Sequence, residues 1–264
     1  MKLLAVFAHP DDESLGVGGT LAKYAAEGVE VSLLTATRGQ SGRYKEHPRG
    51  SSEHPGPDAL GRLREAELRA AAEILGVRDL TILDYLDGSL DQADPREVVG
   101  RIVAHVRRIR PDVVITFGPE GAYGHPDHIA ICQFTTAAMV AAAHGGGDAW
   151  QVPKLYYLET SVATWAAYEY AFKKLVSTVD GVERQANPMP DWQLTTVIDT
   201  RAHWETVQRA VACHVSQVSV FERLRTLPPE QHEALWGAQS FYRVYSTVNG
   251  GRVRETDLFE GLRV

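Results

Sequence analysis

Residues 3–8, Leu-Leu-Ala-Val-Phe-Ala, form an unbroken apolar run that stops at His9-Pro10-Asp11-Asp12-Glu13. An apolar run without alternation suits a strand buried on both faces, the situation of a parallel sheet covered by helices on each side. The chain then keeps alternating. A helix is expected over Ser14–Glu27, stopped by Gly28, and a strand over Val29–Thr37. A polar loop with Gly39, Gly42, Pro48, Pro55 and Pro57 follows. Residues 59–77 read as a helix, because Leu68, Ala71, Ala72 and Leu75 recur at helical spacing before Gly76. Residues 80–85 (LTILDY) are the next strand, Pro95–Arg110 a helix, Asp112–Gly118 a strand and residues 127–143 a helix.

This order predicts an α/β, Rossmann-like fold: a mostly parallel sheet with right-handed crossovers, flanked by helices. The C-terminal third is less regular. Strands are expected at KLYYLE (154–159), LTTVI (194–198) and FYRVYS (241–246), and a helix at AHWETVQRAVACHVSQ (202–217). No repeat or low-complexity linker divides the chain. Gly145-Gly146-Gly147 reads as a turn, and one domain over residues 1–264 is expected.

Composition narrows the function classes. The formal charge of −7 and the lack of a basic stripe exclude a nonspecific nucleic-acid binder. The densest basic cluster, Arg107-Arg108-Ile109-Arg110, closes a predicted helix, where positive charge complements the helix C-terminus. Two cysteines, Cys132 and Cys213, have no paired spacing and are expected as buried free thiols. No apolar run is long enough to cross a membrane, and the N-terminus lacks signal-peptide character. A cytoplasmic protein is expected.

The polar cluster after the first strand poses a charge problem, since Asp11, Asp12 and Glu13 repel one another. Ligands of open parallel sheets bind beyond the carboxyl ends of the strands. His9–Glu13 sits at that end of the first strand, and Thr116–His128 (TFGPEGAYGHPDH) at that end of the fourth. Each contains His-Pro-Asp, in which the proline holds the histidine extended. A divalent metal is the natural compensation. His9, Asp12 and His128 offer two imidazoles and one carboxylate, a set that suits catalytic zinc. Spacing alone leaves His125 as an alternative to His128. Asp11, aimed elsewhere, is then available to accept a proton from the attacking water.

AHPDDE near the N-terminus together with GHPDH after a later strand resembles the LmbE-like superfamily, which includes PIG-L-type N-acetylglucosaminyl deacetylases and the mycothiol-pathway deacetylase and amidase. The resemblance covers about Lys2 to Ala143 and extends loosely to HVSQ (214–217). It implies a metal-dependent N-deacetylase with Zn2+ (ferrous iron as the alternative) on His9, Asp12 and His128, and Asp11 as general base. It further implies that His125 stabilises the oxyanion or protonates the leaving amine, with Asp127 orienting it, and that Tyr123 polarises the carbonyl. Arg64, in an Arg-x-x-Glu-Leu element with Glu67 and Leu68, and His214 are expected near substrate. The implied partner is a small N-acetylated sugar, with a homo-oligomer as a further expectation.

Two other readings stand beside this one. An amidase cleaving thiol S-conjugates is disfavoured, because the relative with that activity carries a lysine where this chain has Leu15-Gly16-Val17. A non-catalytic nucleotide-binding module is disfavoured by the missing glycine fingerprint, Gly16–Gly19 falling inside the predicted helix. His47 and His54 are expected in solvent, and the aromatics of residues 165–172 (WAAYEYAF) in packing, with a sugar platform as the alternative.

Overall fold

Strand β1 (Lys2–Phe7) is buried from Leu3 onward, as its composition requires. The computed structural model describes residues 1–172, 176–179, 181–217, 224, 226–251 and 253–263. Next to β1 lie β2 (Glu30–Thr37) and β3 (Asp79–Tyr85) on one side, and β4 (Val113–Phe117) and β5 (Lys154–Glu159) on the other. All four of these pairings are parallel. Two antiparallel strands, β9 (Ala238–Ser246) and β8 (Thr196–Asp199), complete a seven-stranded sheet of order β3-β2-β1-β4-β5-β9-β8. A separate hairpin, β6 (Val176–Val179) with β7 (Val182–Gln185), has no counterpart in the sequence reading.

The strand order reverses between β1 and β4, the place where such sheets leave a crevice for ligands. Helices α1 (Asp12–Ala26), α2 (Pro57–Ile74), α3 (Pro95–Ile109) and α5 (Pro126–Ala142) cover the parallel half. A one-turn segment, α4 (Gly121–Gly124), precedes α5. Proline at the start of α2, α3 and α5 sits where its missing N–H costs nothing. The C-terminal third adds α6 (Val162–Phe172), α7 (Trp204–Val211) and α8 (Pro229–Trp236).

Helix α1 begins two residues before the predicted Ser14, so Asp12 and Glu13 lie in its first turn, where negative charge is favoured. Its glycines serve close packing. A methyl on Gly16 would lie 2.7 Å from Leu158 Cδ2, and one on Gly19 2.8 Å from Thr200 Cβ. The expected long helix over 202–217 is instead a 3₁₀ turn (Arg201–His203), α7 and a second 3₁₀ turn (Val215–Gln217). Tertiary bonds from His214 to Glu13 and from Ser216 to Glu67 override helical propensity there. Cys132 is buried as expected, whereas Cys213, just past α7, is partly exposed. No helix among the described residues is long and apolar enough to cross a membrane.

The antiparallel half is fastened by a buried ion pair. Lys154 Nζ donates to Glu255 Oε1 at 2.7 Å, with the two residues 0% and 1% exposed. Tyr156, Thr196, Asn249 and Arg243 also donate to that carboxylate. Lys154→Met is expected to cost about 3 kcal/mol, the lower end for breaking a buried pair, because Arg243 stays in place. A urea midpoint equal to wild type would contradict this.

Candidate active site

The His9-Pro10-Asp11-Asp12 stretch turns from β1 into α1 through an unusual backbone. Asp11 has φ 92°, a left-handed conformation rare for a non-glycine residue and one that clusters at functional sites. It caps α1 without a side-chain capping bond, so the carboxylate is not there to start the helix. Asp11 Oδ2 instead meets Arg64 Nη2 at 3.1 Å, while Asp12 turns to the imidazoles. Asp12 Oδ2 accepts the His9 backbone N–H at 2.7 Å, and Asp12 Oδ1 lies 3.4 Å from His128 Nε2.

His9 Nδ1 and His128 Nε2 face each other at 3.1 Å, with Asp12 Oδ2 3.6 Å from His9 Nδ1. On its other side, His9 Nε2 sits 3.0 Å from Asp127 Oδ2 and 3.1 Å from Asp87 Oδ1. Those two carboxylates are already gripped by backbone. Gly88 and Leu90 N–H donate to Asp127 at 2.7 and 3.0 Å, and Ser41 N–H to Asp87 at 2.8 Å. They favour a proton on His9 Nε2 and leave Nδ1 facing His128, where a bound cation would replace its proton. Asp127 thus orients His9, not His125 as expected. Only the Asp127 backbone N–H reaches His125, donating to Nδ1 at 3.2 Å. The reason is geometric: Asp127 lies in the first turn of α5, facing the β3 loop, while His125 caps that helix.

The donor set fits a divalent cation. Ligand atoms of His9, His125 and His128 lie within 4.8 Å of one another, as do those of His9, Asp87 and Asp127. The second group is accounted for by the orientation of His9. For the first, Asp12 supplies a carboxylate 3.4 Å from His128 and 3.6 Å from His9. Among the described residues, His128 Nδ1 is buried without a hydrogen-bond partner. Burial would lift Asp12, but His128 and His9 hold it at about 2. Burial drives His128 down to about 3, so it is a neutral donor. Burial disfavours charge on His9 too, yet Asp12, Asp127 and Asp87 outweigh it and raise its pKa well above the ordinary value. The carboxylate crowding therefore favours a positive charge at this point, which a divalent ion held by these residues would supply.

A cavity of about 250 Å³ opens beside these groups, lined by Asp11, Asp12, Tyr123 and His128 and walled by Phe117, Leu158, Trp165 and Tyr168. Burial raises the Tyr123 hydroxyl pKa, so it remains a proton donor. Tyr168 packs, as expected, against a hydrophobic cluster that includes Ala167 and Ala171; Trp165 and Tyr168 also line the cavity, and the Phe172 side chain is outside the described residues.

Arg64 and His214, both expected near substrate, lie beneath the cavity instead. Arg64 is 5% exposed and donates to Pro10 O, Gly39 O and Asp11 at 2.6, 2.9 and 3.1 Å. His214, fully buried, bonds Glu13 Oε1 at 2.9 Å, and Glu13 Oε2 accepts the Asp11 N–H at 3.0 Å. Ser216 N–H and Oγ both donate to Glu67, at 2.7 Å each. The Arg-x-x-Glu-Leu and HVSQ elements thus support the Asp11 turn from below. His47 and His54 are half-buried in the loop after β2 and do not line the cavity. Asp87, Glu120 and Glu159 escaped the sequence reading. Their signal was an acidic residue just past, or ending, a parallel strand.

Residues 4–139 match the PIG-L family, described as GlcNAc-PI de-N-acetylase. The chain is 36% identical, over 99% of its length and 83% of the relative's, to a 1D-myo-inositol 2-acetamido-2-deoxy-alpha-D-glucopyranoside deacetylase of Kineococcus radiotolerans. Its fold is similar to the N,N'-diacetylchitobiose deacetylase of Pyrococcus horikoshii, with a TM-score of 0.67 at 20% identity over 92% of this chain and 83% of that one. It is equally similar to GalB, a 4-carboxy-2-hydroxymuconate hydratase of Pseudomonas putida, with a TM-score of 0.69 at 20% identity over 95% and 98% of the two chains, so fold alone does not decide the reaction. Sequence and architecture agree that this chain belongs to the PIG-L (LmbE-like) family.

Proposed function

We propose that the protein, acting as one domain over residues 1–264, is a zinc-dependent N-deacetylase of a small N-acetylated amino sugar. The observation that carries the reading is the 3.1 Å approach of His9 Nδ1 to His128 Nε2 with Asp12 beside both. His9, Asp12 and His128 would hold the ion, His128 being chosen over His125 because it is more deeply buried and nearer Asp12. The same two-histidine, one-carboxylate set also suits ferrous iron. A bound divalent ion polarises the amide carbonyl and acidifies water.

The remaining work falls to side chains. Asp11 accepts the proton of the attacking water. Burial pushes its pKa up, Arg64 pulls it down and Asp12 pushes it up again, and the result of about 6 suits a base working near neutrality. Tyr123 donates to the developing oxyanion from the cavity wall. His125, whose Nδ1 accepts the Asp127 N–H, presents Nε2–H as a second donor to the developing oxyanion, and Asp11 returns the proton it took from water to the leaving amine. The named activity of the Kineococcus radiotolerans relative supports an amino-sugar substrate.

A panel of N-acetylated sugars, S-conjugates and peptides, scored for acetate and free amine with and without added zinc, tests this. Metal-dependent acetate release from an amino sugar is the expected result; release from acetylated peptides alone would overturn the substrate class. Arg64 acts through Asp11. Arg64→Gln removes the neighbouring positive charge, so the Asp11 pKa rises. Because the base works only when ionised, the acidic limb of kcat/KM should move up by ~1 pH unit or more. An unmoved limb would show that Arg64 does not tune Asp11.

A further inference from the structure

Two carboxylates in the cavity take no part in this chemistry. Glu159 ends β5 and Glu120 follows β4, and both line the cavity beside the proposed metal ligands. They converge across the Gly118 backbone. A methyl placed on Gly118 would lie 2.6 Å from Glu120 Oε2 and 2.6 Å from Glu159 Oε1, so both carboxylates extend into the space a side chain would take there. Glu159 is 7% exposed. Burial and the Glu120 charge act on it, and among the described residues its carboxylate has neither a hydrogen bond nor an ion pair. These influences push its pKa up to about 8. A buried acid without a donor, facing a cavity, is a costly arrangement unless something outside the chain completes it.

The surroundings indicate what completes it. Acidic groups at the cavity wall are Asp11, Asp12, Glu120 and Glu159, and no lysine or arginine is found among its described lining residues. A metal ion on His9, Asp12 and His128 offsets charge at one end only. The Glu120–Glu159 end has no basic partner among the described lining residues, so a bound ammonium would draw Glu159 into its ionised form, with Trp165 and Tyr168 presenting aromatic surface in the same cavity. Glu159 also borders a smaller recess of about 30 Å³, shared with Leu15, Thr160 and Tyr168, which leaves room for one small group beyond it. Carboxylate plus aromatic wall is the chemistry that holds an alkylammonium.

We propose that Glu159, assisted by Glu120, forms a cation-recognising subsite, so that the preferred substrate carries a free ammonium group in addition to its acetylated nitrogen. This rests on the amide-hydrolase reading for the identity of the cavity, but binding tests it without turnover. The probes are N-acetyl-1,4-diaminobutane and its neutral counterpart N-(4-hydroxybutyl)acetamide, with their homologues of one to three further methylenes, titrated calorimetrically into the intact 264-residue chain at low salt.

For at least one chain length, the ammonium probe should bind about tenfold more tightly than its hydroxyl counterpart. Glu159→Gln, which keeps shape, should bring the ratio to near unity and leave the neutral probe within about twofold of wild type. Equal binding of both series by the wild type would overturn the proposal, and so would a preference that survives in the Glu159→Gln, Glu120→Gln double variant. The wild-type comparison needs no variant, so a misfolded mutant cannot rescue the idea. A cation preference without acetate release from any amide would sink the hydrolase reading and leave the subsite standing; acetate release without a cation preference would do the reverse.

Discussion

Asp11→Asn, purified with its metal, is expected to lose about 10²–10⁴ in kcat, the usual worth of a positioned general base. The amide keeps the shape of the carboxylate and can still accept a bond from Arg64, so the loss reports proton transfer and not collapse of the turn. Asp11 is placed for this role by its backbone. Its left-handed φ of 92° sends its carboxylate to Arg64, while the next residue serves the imidazoles. Metal content measured on the same sample should be unchanged. Near-normal kcat at full metal occupancy would remove Asp11 from the mechanism.

The His9→Ala, His128→Ala double variant should fall from about one divalent ion per chain to nearly none, with turnover lost altogether. A site with two imidazoles and a carboxylate retains only one protein donor after that change, too few for a stable site. Asp127 would not substitute, because the backbone N–H groups of Gly88 and Leu90 already occupy both its oxygens, and Ser41 N–H holds Asp87 through Oδ2. Elemental analysis of the purified variant decides the matter. Full metal retention would mean that the ion sits elsewhere.

The parallel half was legible because its signals are local: unbroken apolar runs for β1 and β4, helical periodicity closed by Gly76 for α2, and proline at helix starts. The placement of His9, Asp12 and His128 at one strand-end crevice followed from the same logic. Other parts depend on contacts between residues far apart in sequence. Nothing near Arg64 shows that its guanidinium turns to Pro10, Gly39 and Asp11 and not to a ligand. Nothing near Asp127 shows that the β3 loop claims its carboxylate. The helix predicted through residue 217 stops after Val211 because His214 and Ser216 are bound to Glu13 and Glu67, partners about 200 and 149 positions away.

The two facing imidazoles are 119 residues apart in sequence. At typical synthesis rates of roughly 5–20 residues per second, the ribosome would need about 6–24 s to add the second after the first. A nascent chain therefore exposes the His9 half of the centre well before α5 can bring His128 to it. Tight capture of an ion reports that β4 and α5 have docked on β1. A spectroscopically active ion such as cobalt(II), added during refolding, would thus act as a clock for assembly of the central sheet, its ligand-field bands appearing only once the two halves of the crevice have met.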